Sequence, residues 1–174
     1  MRKITTEPQN PNFTEKQAQT QVWIFVLIAA LLLISIWAII QQNIIGTPFG
    51  NNPAPDWFLW ISPIIPLILL LLVARSKMVT HINEEGIWLK YLPFHSKYRF
   101  WAWDEINSAY IRKYKPLKEF TGYGIRRISW NKSEAYSVKK RTGLQLTLNK
   151  GKRLLIGTNR PNDIKNTLEK LDKA

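Results

Sequence analysis

Two long apolar segments near the N-terminus restrict the fold of this 174-residue chain more than any other feature. Residues 22–40 read VWIFVLIAALLLISIWAII and residues 57–74 read WFLWISPIIPLILLLLVA, and neither contains a charged side chain. Since a helix rises about 1.5 Å per residue, each segment is close to long enough for the ~30 Å hydrocarbon core of a bilayer. A helix of a water-soluble protein would show a polar face, which neither segment has. We therefore predict a transmembrane helical hairpin.

The segments that flank the two predicted spans indicate their orientation. The loop 41–56 contains no Lys or Arg, whereas Arg75 and Lys77 directly follow the second span. Short loops that carry Lys and Arg tend to stay cytoplasmic, so we expect loop 41–56 outside and both termini inside. Residues 1–21 are polar, and we predict a disordered cytoplasmic tail. A cleaved signal peptide is the alternative, but the long polar lead and the lack of a small-x-small cleavage pattern argue against it.

Two prolines, Pro63 and Pro66, lie inside the second span. Each removes a backbone donor and predicts a kink or a break. A discontinuous helix that lines a small cavity and a simple kink against the first span are the two interpretations. The spans contain no charged residue that could carry a proton or an ion, which favours the kink.

After residue 75 the pattern changes to the alternation of β-strands. Turn-forming residues at 83–86 and 149–151 predict two hairpins. In GLQLTL, residues 143–148, the leucines would share one strand face. In the third strand, Tyr98, Phe100 and Ala102 would face away from Arg99, Trp101 and Trp103.

The chain ends in an amphipathic helical pattern. Pro161 suits a first helical turn, and Ile164, Leu168 and Leu171 recur with helical spacing. The fold class that we predict is an α+β membrane protein. Its transmembrane hairpin is followed, over residues 75–174, by an antiparallel β domain of about seven strands with a C-terminal helix.

The arrangement, together with several short motifs, resembles a known family. The motifs are FTGYGIR at 120–126, AY at 135–136, TGLQL at 142–146 and LIGT at 155–158, followed by Pro161. Over residues 20–172 the chain is similar to small bacterial two-span membrane proteins that carry a pleckstrin-homology-like (PH-like) domain. The resemblance implies a PH-like fold and a bacterial inner-membrane location with the domain in the cytoplasm. Because PH-like domains bind lipids, bind peptides or serve as scaffolds, it implies little biochemistry. The first hairpin turn, residues 83–86, is acidic, which argues against a phosphoinositide site in the usual place.

Positive charge is the strongest signal that is not simply structural. Three of the 25 basic and three of the 12 acidic side chains lie before residue 75, so the whole net charge of +13 lies in residues 75–174. A basic domain tied closely to a bilayer meets lipid phosphates first, which makes nucleic acid an unlikely partner. The alternative is that these charges are ordinary solvated strand faces and turns. The candidate contacts to anionic lipid or to a partner are Arg75, Lys77, Arg112, Lys113, Lys115, Arg126, Arg127, Lys139, Lys140 and Arg141.

No pattern in the sequence indicates catalysis or a cofactor. The chain has no cysteine, and its two histidines, His81 and His95, lack the spacing of a metal site. We expect His81 to be a surface histidine at a strand end. No glycine-rich phosphate loop precedes a helix, since Gly122-x-Gly124 leads into a strand pattern.

The sequence therefore predicts a non-catalytic membrane protein without metal or cofactor. Its basic domain would bind or scaffold at the inner membrane surface through anionic lipid headgroups, a membrane-protein partner or a second copy of the chain. The alternative is an accessory or regulatory subunit of a membrane enzyme or transporter whose domain docks peptide segments.

Overall fold

A computed structural model of the chain describes residues 2–4, for which the backbone alone is considered, and residues 6–128, 133–149 and 151–173. The predicted turn residue Lys150 lies outside the described residues. The chain divides into two compact units. The helical unit is Thr20–Arg75, and the sheet unit combines Met1–Gln19 with Ser76–Ala174.

The helical unit contains the two apolar segments. Helix α1 (Val22–Ile39) continues into a π-helical turn (Ile40–Ile44). After the loop come α2 (Asp56–Ile61) and α3 (Ile64–Ala74). Within the described residues, two stretches, Val22–Ile44 and Asp56–Ala74, are long and apolar enough to cross a membrane.

The second stretch is interrupted at Pro63, as the sequence predicted. Helix α2 ends before Ser62, whose hydroxyl donates to the Leu59 carbonyl at 2.8 Å. Pro66 is buried and lies in the first turn of α3. Backbone amides in a first turn have no acceptor within the helix, so the proline costs α3 no hydrogen bond.

The first sheet of the sheet unit, sheet A, is antiparallel. Its described strands are β1 (Arg2–Ile4), β2 (Phe13–Ala18), β3 (Lys77–Ile82), β4 (Gly86–Leu92) and β5 (Tyr98–Ala102). They lie in the order β1-β5-β4-β3-β2, so both edges come from the N-terminal segment. Glu7, which precedes β2, lies over the outer face of this sheet, with its carboxylate 3.2 Å from His81 Nε2.

The second sheet, sheet B, is mixed. Its described strands are β6 (Ile106–Lys113), β7 (Gly124–Ile128), β8 (Ser133–Ser137), β9 (Thr142–Leu148) and β10 (Arg153–Gly157), in the order β6-β9-β10-β8-β7. Strands β8 and β10 run parallel, and the other pairs are antiparallel. The short helix α4 (Pro116–Phe120) joins β6 to β7, and α5 (Pro161–Lys170) follows β10.

One apolar core joins the inner faces of both sheets and α5. Leu144, Leu146 and Leu148 all point into it, which confirms the predicted strand face. Trp101 also belongs to this core, whereas Tyr98 and Phe100 form a separate cluster on the outer face of sheet A, again as predicted. The helical pattern is confirmed by the buried Ile164 and Leu168 and by Leu171, which packs against them.

The prediction of a disordered tail over residues 1–21 is wrong for Arg2–Ile4 and Phe13–Ala18. Strand β2 pairs with β3 over six residues, from Phe13 opposite Ile82 to Ala18 opposite Lys77. Its inward positions are Phe13, Glu15 and Gln17. Two of these three side chains are polar and find partners at the end of β10, so the strand carries no apolar alternation that sequence reasoning could detect.

Two other expectations also need correction. About seven antiparallel strands were predicted for residues 75–174. The described residues there hold eight, β3 to β10, and β8 pairs with β10 in parallel. His81 is not a surface residue, because it is 2% exposed and its Nδ1 lies 2.9 Å from the Thr14 hydroxyl of β2. The N-terminal segment, which was expected to be disordered, covers it.

Candidate functional site

The chain leaves the sheet unit and returns to it at neighbouring residues. Ala18, the last residue of β2, pairs with Lys77, the first residue of β3. One residue further out, the Gln19 amide donates to the Ser76 carbonyl at 3.2 Å. The end of the sheet unit that contains Gln19 and Ser76 is named here the exit end.

A series of contacts connects the exit end to one end of sheet B. The Gln17 side-chain amide donates to the Gly157 carbonyl of β10 at 2.7 Å. Gly157 lies so close to Ser137 of β8 that a Cβ on the glycine would be 3.0 Å from the serine Cβ. The Tyr114 hydroxyl is also adjacent, and it donates to the Lys140 carbonyl at 2.8 Å. The end of β6, the end of β8 and the turn before β9 therefore all belong to the exit end.

Most of the sequence-predicted basic residues lie at this end. Strand pairing places Lys113 of β6 opposite Thr142 of β9, so residues far apart in the sequence become neighbours. Arg126 lies on β7, and its Nε donates back to the Tyr123 carbonyl at 3.0 Å, before the strand begins. The sequence-predicted basic residues at the exit end are Lys77, Arg112, Lys113, Lys115, Arg126, Lys139, Lys140 and Arg141.

Two predicted residues lie elsewhere. Arg75 caps the C-terminus of α3 and belongs to the helical unit. Arg127 lies on the inner side of β7, where its Nε is 2.8 Å from a carboxylate oxygen of Glu134. The exit end therefore includes neither of them.

Acidic turns occupy the opposite end of the strands. The β3–β4 turn carries Glu84 and Glu85, and the 3₁₀ turn before β6 carries Asp104 and Glu105. The Trp103 amide donates to the Glu85 carbonyl at 3.3 Å, so the two turns are adjacent. Along its strands the sheet unit is thus electrically polarised, with the excess of positive charge at the exit end.

A buried carboxylate, that of Glu134, pairs with three of the remaining basic residues. Glu134 is 3% exposed and contacts Arg127, Lys152 Nζ at 2.9 Å and Arg99 Nη1 at 3.6 Å. Burial alone would raise its pKa, but Lys152 and Arg127 outweigh burial, and the pKa of Glu134 lies below its usual value. Tyr136 donates to the same carboxylate at 3.2 Å and accepts from Arg99. Burial raises the pKa of Tyr136, and Glu134 raises it further, so the phenol stays protonated. The three cations share one carboxylate, and its hydrogen bonds and ion pairs are the features of a structural ion network.

An open cleft of about 610 Å³ lies on the outer face of sheet B beside α4. Arg112 is held in its wall by the Glu119 carboxylate at 2.8 Å and by Gln145 Oε1 at 2.9 Å. The remaining lining is mostly polar: Tyr110, Lys118, Phe120, Ile128, Ser133, Thr147 and Arg153. Sequence reasoning selected Arg112 alone among the basic residues of this cleft, because only the strand order reveals that Arg153 faces the same way.

A smaller cavity of about 280 Å³ lies on another side of α4. Its basic lining residues are Lys115, Lys118 and Arg141, and Pro116, Leu117 and Tyr123 complete it. Leu117 is 77% exposed. Neither Lys118 nor Leu117 was among the predicted contact residues.

Within the described parts of the chain, no group of three or more His, Asp or Glu side chains is placed to hold a metal ion. The cations at the exit end and the two cavities beside α4 are therefore the features from which a function can be argued.

Comparison with known families gives one match. The model of a family of unknown function, DUF6141, matches residues 12–171, which begin just before β2 and end just after α5. The match therefore covers the apolar hairpin as well as both sheets. A search of the curated proteins found no match.

Proposed function

The chain belongs to the family of unknown function DUF6141, and we propose that it is a non-catalytic, two-span membrane protein whose exit end binds anionic lipid headgroups. In this proposal α1 and the α2–α3 pair cross the inner membrane of a bacterium. The sheet unit lies in the cytoplasm as a PH-like module.

The exposure of the apolar helices supports membrane insertion. Val22, Leu33 and Trp57 are 72%, 66% and 65% exposed, and the neighbouring large apolar residues are similar. A soluble protein rarely exposes so long an apolar surface, whereas lipid tails would solvate it.

The pairing of β2 with β3 supports the placement of the start of α1 and the end of α3 on the same side of the membrane. These strands hydrogen-bond to each other, and the whole hairpin is inserted between them. If both apolar stretches span, the segments before and after them lie on the same side of the bilayer. The absence of Lys and Arg from the loop 41–56 favours the cytoplasm for that side. Cleavage after α1, as in a signal peptide, would remove β2 from sheet A.

The observation that carries the proposal is that the positive end of the sheet unit is also its exit end. The chain runs from Gln19 and Ser76 directly into the proposed spans, so the basic residues around Lys77, Lys113 and Lys140 would lie next to the headgroups. Each Lys or Arg near an anionic leaflet contributes about 1 kcal/mol, fading over a Debye length of ~8 Å. Four or five such residues would hold the domain against the membrane.

The experiment uses the sheet unit without the helices. Residues 20–75 are replaced by an Asn-Gly turn between Gln19 and Ser76, whose backbone groups already hydrogen-bond. Co-sedimentation with vesicles of phosphatidylcholine, with and without phosphatidylglycerol, is measured at low and high salt. We expect binding that requires phosphatidylglycerol and weakens with salt.

A pair of charge variants locates the contact. Substituting Lys113, Lys139 and Lys140 by Gln at the exit end should weaken binding by about 100-fold, as expected for the loss of about 3 kcal/mol. The matched control substitutes Lys165, Lys170 and Lys173, on and after α5, and should weaken it by less than about fivefold. Equal binding to neutral vesicles, or equal loss in both variants, would contradict the proposal.

The outer cleft of sheet B favours a second candidate function, the docking of an acidic peptide segment by an accessory subunit. A cleft of about 610 Å³ with Arg112, Lys118 and Arg153 in its lining suits an extended segment with carboxylates. Photo-cross-linking from position 110 in native membranes tests this. One stoichiometric protein partner, lost in an Arg153→Glu variant, would support docking.

A further inference from the structure

Helix α4 is held rigidly although it is only one turn long. The Glu119 carboxylate accepts from the Lys115 amide at 2.7 Å, and the Gly122 amide donates to the Pro116 carbonyl at 2.9 Å. Phe120 is buried and packs edge-on against Tyr114, with the ring centroids 6.1 Å apart. These contacts fix the positions of the residues between them.

Three cations line the 280 Å³ cavity beside this turn. Lys115 and Lys118 come from α4 and its start, and Arg141 comes from the turn before β9. Among the described residues, none of the three forms an ion pair with a carboxylate. The nearest acid on α4, Glu119, is occupied by Arg112 and by the Lys115 backbone amide. The positive charge of the cavity is therefore available to an anion.

Leu117 stands beside these cations and projects into solvent. It is 77% exposed, and no other large apolar side chain in the described residues, including those of α1, α2 and α3, is more exposed. Because Pro116 and Phe120 are buried and anchor the turn, packing of the sheet unit accounts for them but not for Leu117. At a membrane surface an exposed leucine gains by entering the apolar layer, while lysines beside it keep their charged ends among the headgroups.

We propose that this cavity is a binding site for the phosphate of an anionic phospholipid, with Lys115, Lys118 and Arg141 around the phosphate and Leu117 in the acyl region. The inference rests on the proposed function, since it assumes that the exit end faces the leaflet. Arg141 can offer two parallel N–H donors to the phosphate, and the lysines add point charges. A volume of about 280 Å³ is near the lower limit for small-molecule sites, which suits a phosphate and its glycerol better than a whole lipid.

The test uses the full chain in non-ionic detergent, with binding followed by NMR at the amides of Gly122 and Tyr123. The probes are dioctanoyl phosphatidylglycerol, dioctanoyl phosphatidylcholine and inorganic phosphate. A pocket variant, K115Q/K118Q/R141Q, is compared with K165Q/K170Q/K173Q, which removes the same charge on and after α5, outside the exit end. A third variant, Leu117→Asn, keeps every charge.

We expect saturable binding of phosphatidylglycerol that weakens about tenfold or more in the pocket variant and less than about threefold in its charge-matched control. Leu117→Asn should weaken phosphatidylglycerol binding by about fivefold and leave that of inorganic phosphate unchanged. Because Leu117 is exposed, this variant should fold normally.

The other outcomes separate the two proposals. Equal losses in the pocket variant and its control would overturn the site and leave only the net positive charge of the sheet unit. If K113Q/K139Q/K140Q weakens phosphatidylglycerol binding and the pocket variant does not, only the site fails. If neither of these two variants weakens it, the proposed function fails together with the site. Inorganic phosphate binding as tightly as phosphatidylglycerol, with no effect of Leu117→Asn, would overturn the lipid assignment.

Discussion

The two units of this chain treat apolar side chains in opposite ways. In the helical unit, leucines such as Leu31 and Leu33 are 55% and 66% exposed. In the sheet unit, Leu144 and Leu146 are fully buried between two sheets. Since water drives the burial of apolar groups and lipid does not, this is the difference expected under the proposed function, in which lipid surrounds the helical unit and water the sheet unit. It also explains how one sequence can contain both an unpatterned apolar stretch and alternating strands.

The largest expected effect is on solubility. The variant in which an Asn-Gly turn replaces residues 20–75 should be a folded, water-soluble monomer, because β2 still pairs with β3. The full chain should remain in the membrane pellet through an alkaline wash and need detergent for extraction. Ultracentrifugation and circular dichroism measure both. A full chain that stays in the aqueous phase would remove the membrane interpretation.

A control for that prediction is a variant that starts at Ser76. It lacks β1 and β2, so it exposes the edge of β3 and leaves Thr158 without the Glu15 carboxylate that accepts from it at 2.6 Å. We expect it to aggregate or unfold. Solubility and stability equal to those of the joined variant would show that β2 is dispensable.

The same substitution in the two units should have unequal effects. Leu146→Ala leaves a cavity in the core of the sheet unit and should lower the free energy of unfolding by about 3 kcal/mol. Leu33→Ala, at an exposed position of α1, should lower the stability of the full chain in detergent by less than about 1 kcal/mol. Denaturant titrations measure the first and thermal unfolding in detergent the second. A large effect of Leu33→Ala would mean that α1 packs against protein there.

The parts of the fold that sequence could predict are those in which apolar residues set the pattern. The two long apolar helical stretches, the leucine face of β9 and the inner face of α5 follow from where apolar side chains recur. Strand β2 could not be found this way, because its inward residues Glu15 and Gln17 are polar and are stabilised by partners about 140 residues away. His81 was misjudged for the same reason, since the strand that covers it was missed.

The candidate site was predictable in composition but not in arrangement. The basic residues are evident in the sequence, yet Lys115 and Arg141 become neighbours only because β6 pairs with β9. Arg127 looked equivalent to Arg126, but adjacent strand residues point to opposite faces, and the inner face holds the buried Glu134. Only the strand register separates a cation that pairs internally from one that is available to a partner.

The smallest expected effect is a pH dependence that is confined to the sheet unit, since the helical unit contains no histidine. Burial lowers the pKa of His81 below its ordinary value of 6.5, Glu7 opposes this, and Lys16 adds to the lowering. The unfolded chain therefore binds a proton at higher pH than the folded chain, so stability should fall as the pH decreases from about 6.5 and level off below the folded-state pKa. Denaturant titrations of the joined sheet unit between pH 7.5 and pH 5.5 measure this loss. Glu7→Gln removes the opposing charge and should extend the loss to lower pH, whereas His81→Asn should abolish it. A stability that does not change on acidification across this range would mean that the N-terminal segment does not cover His81 in solution.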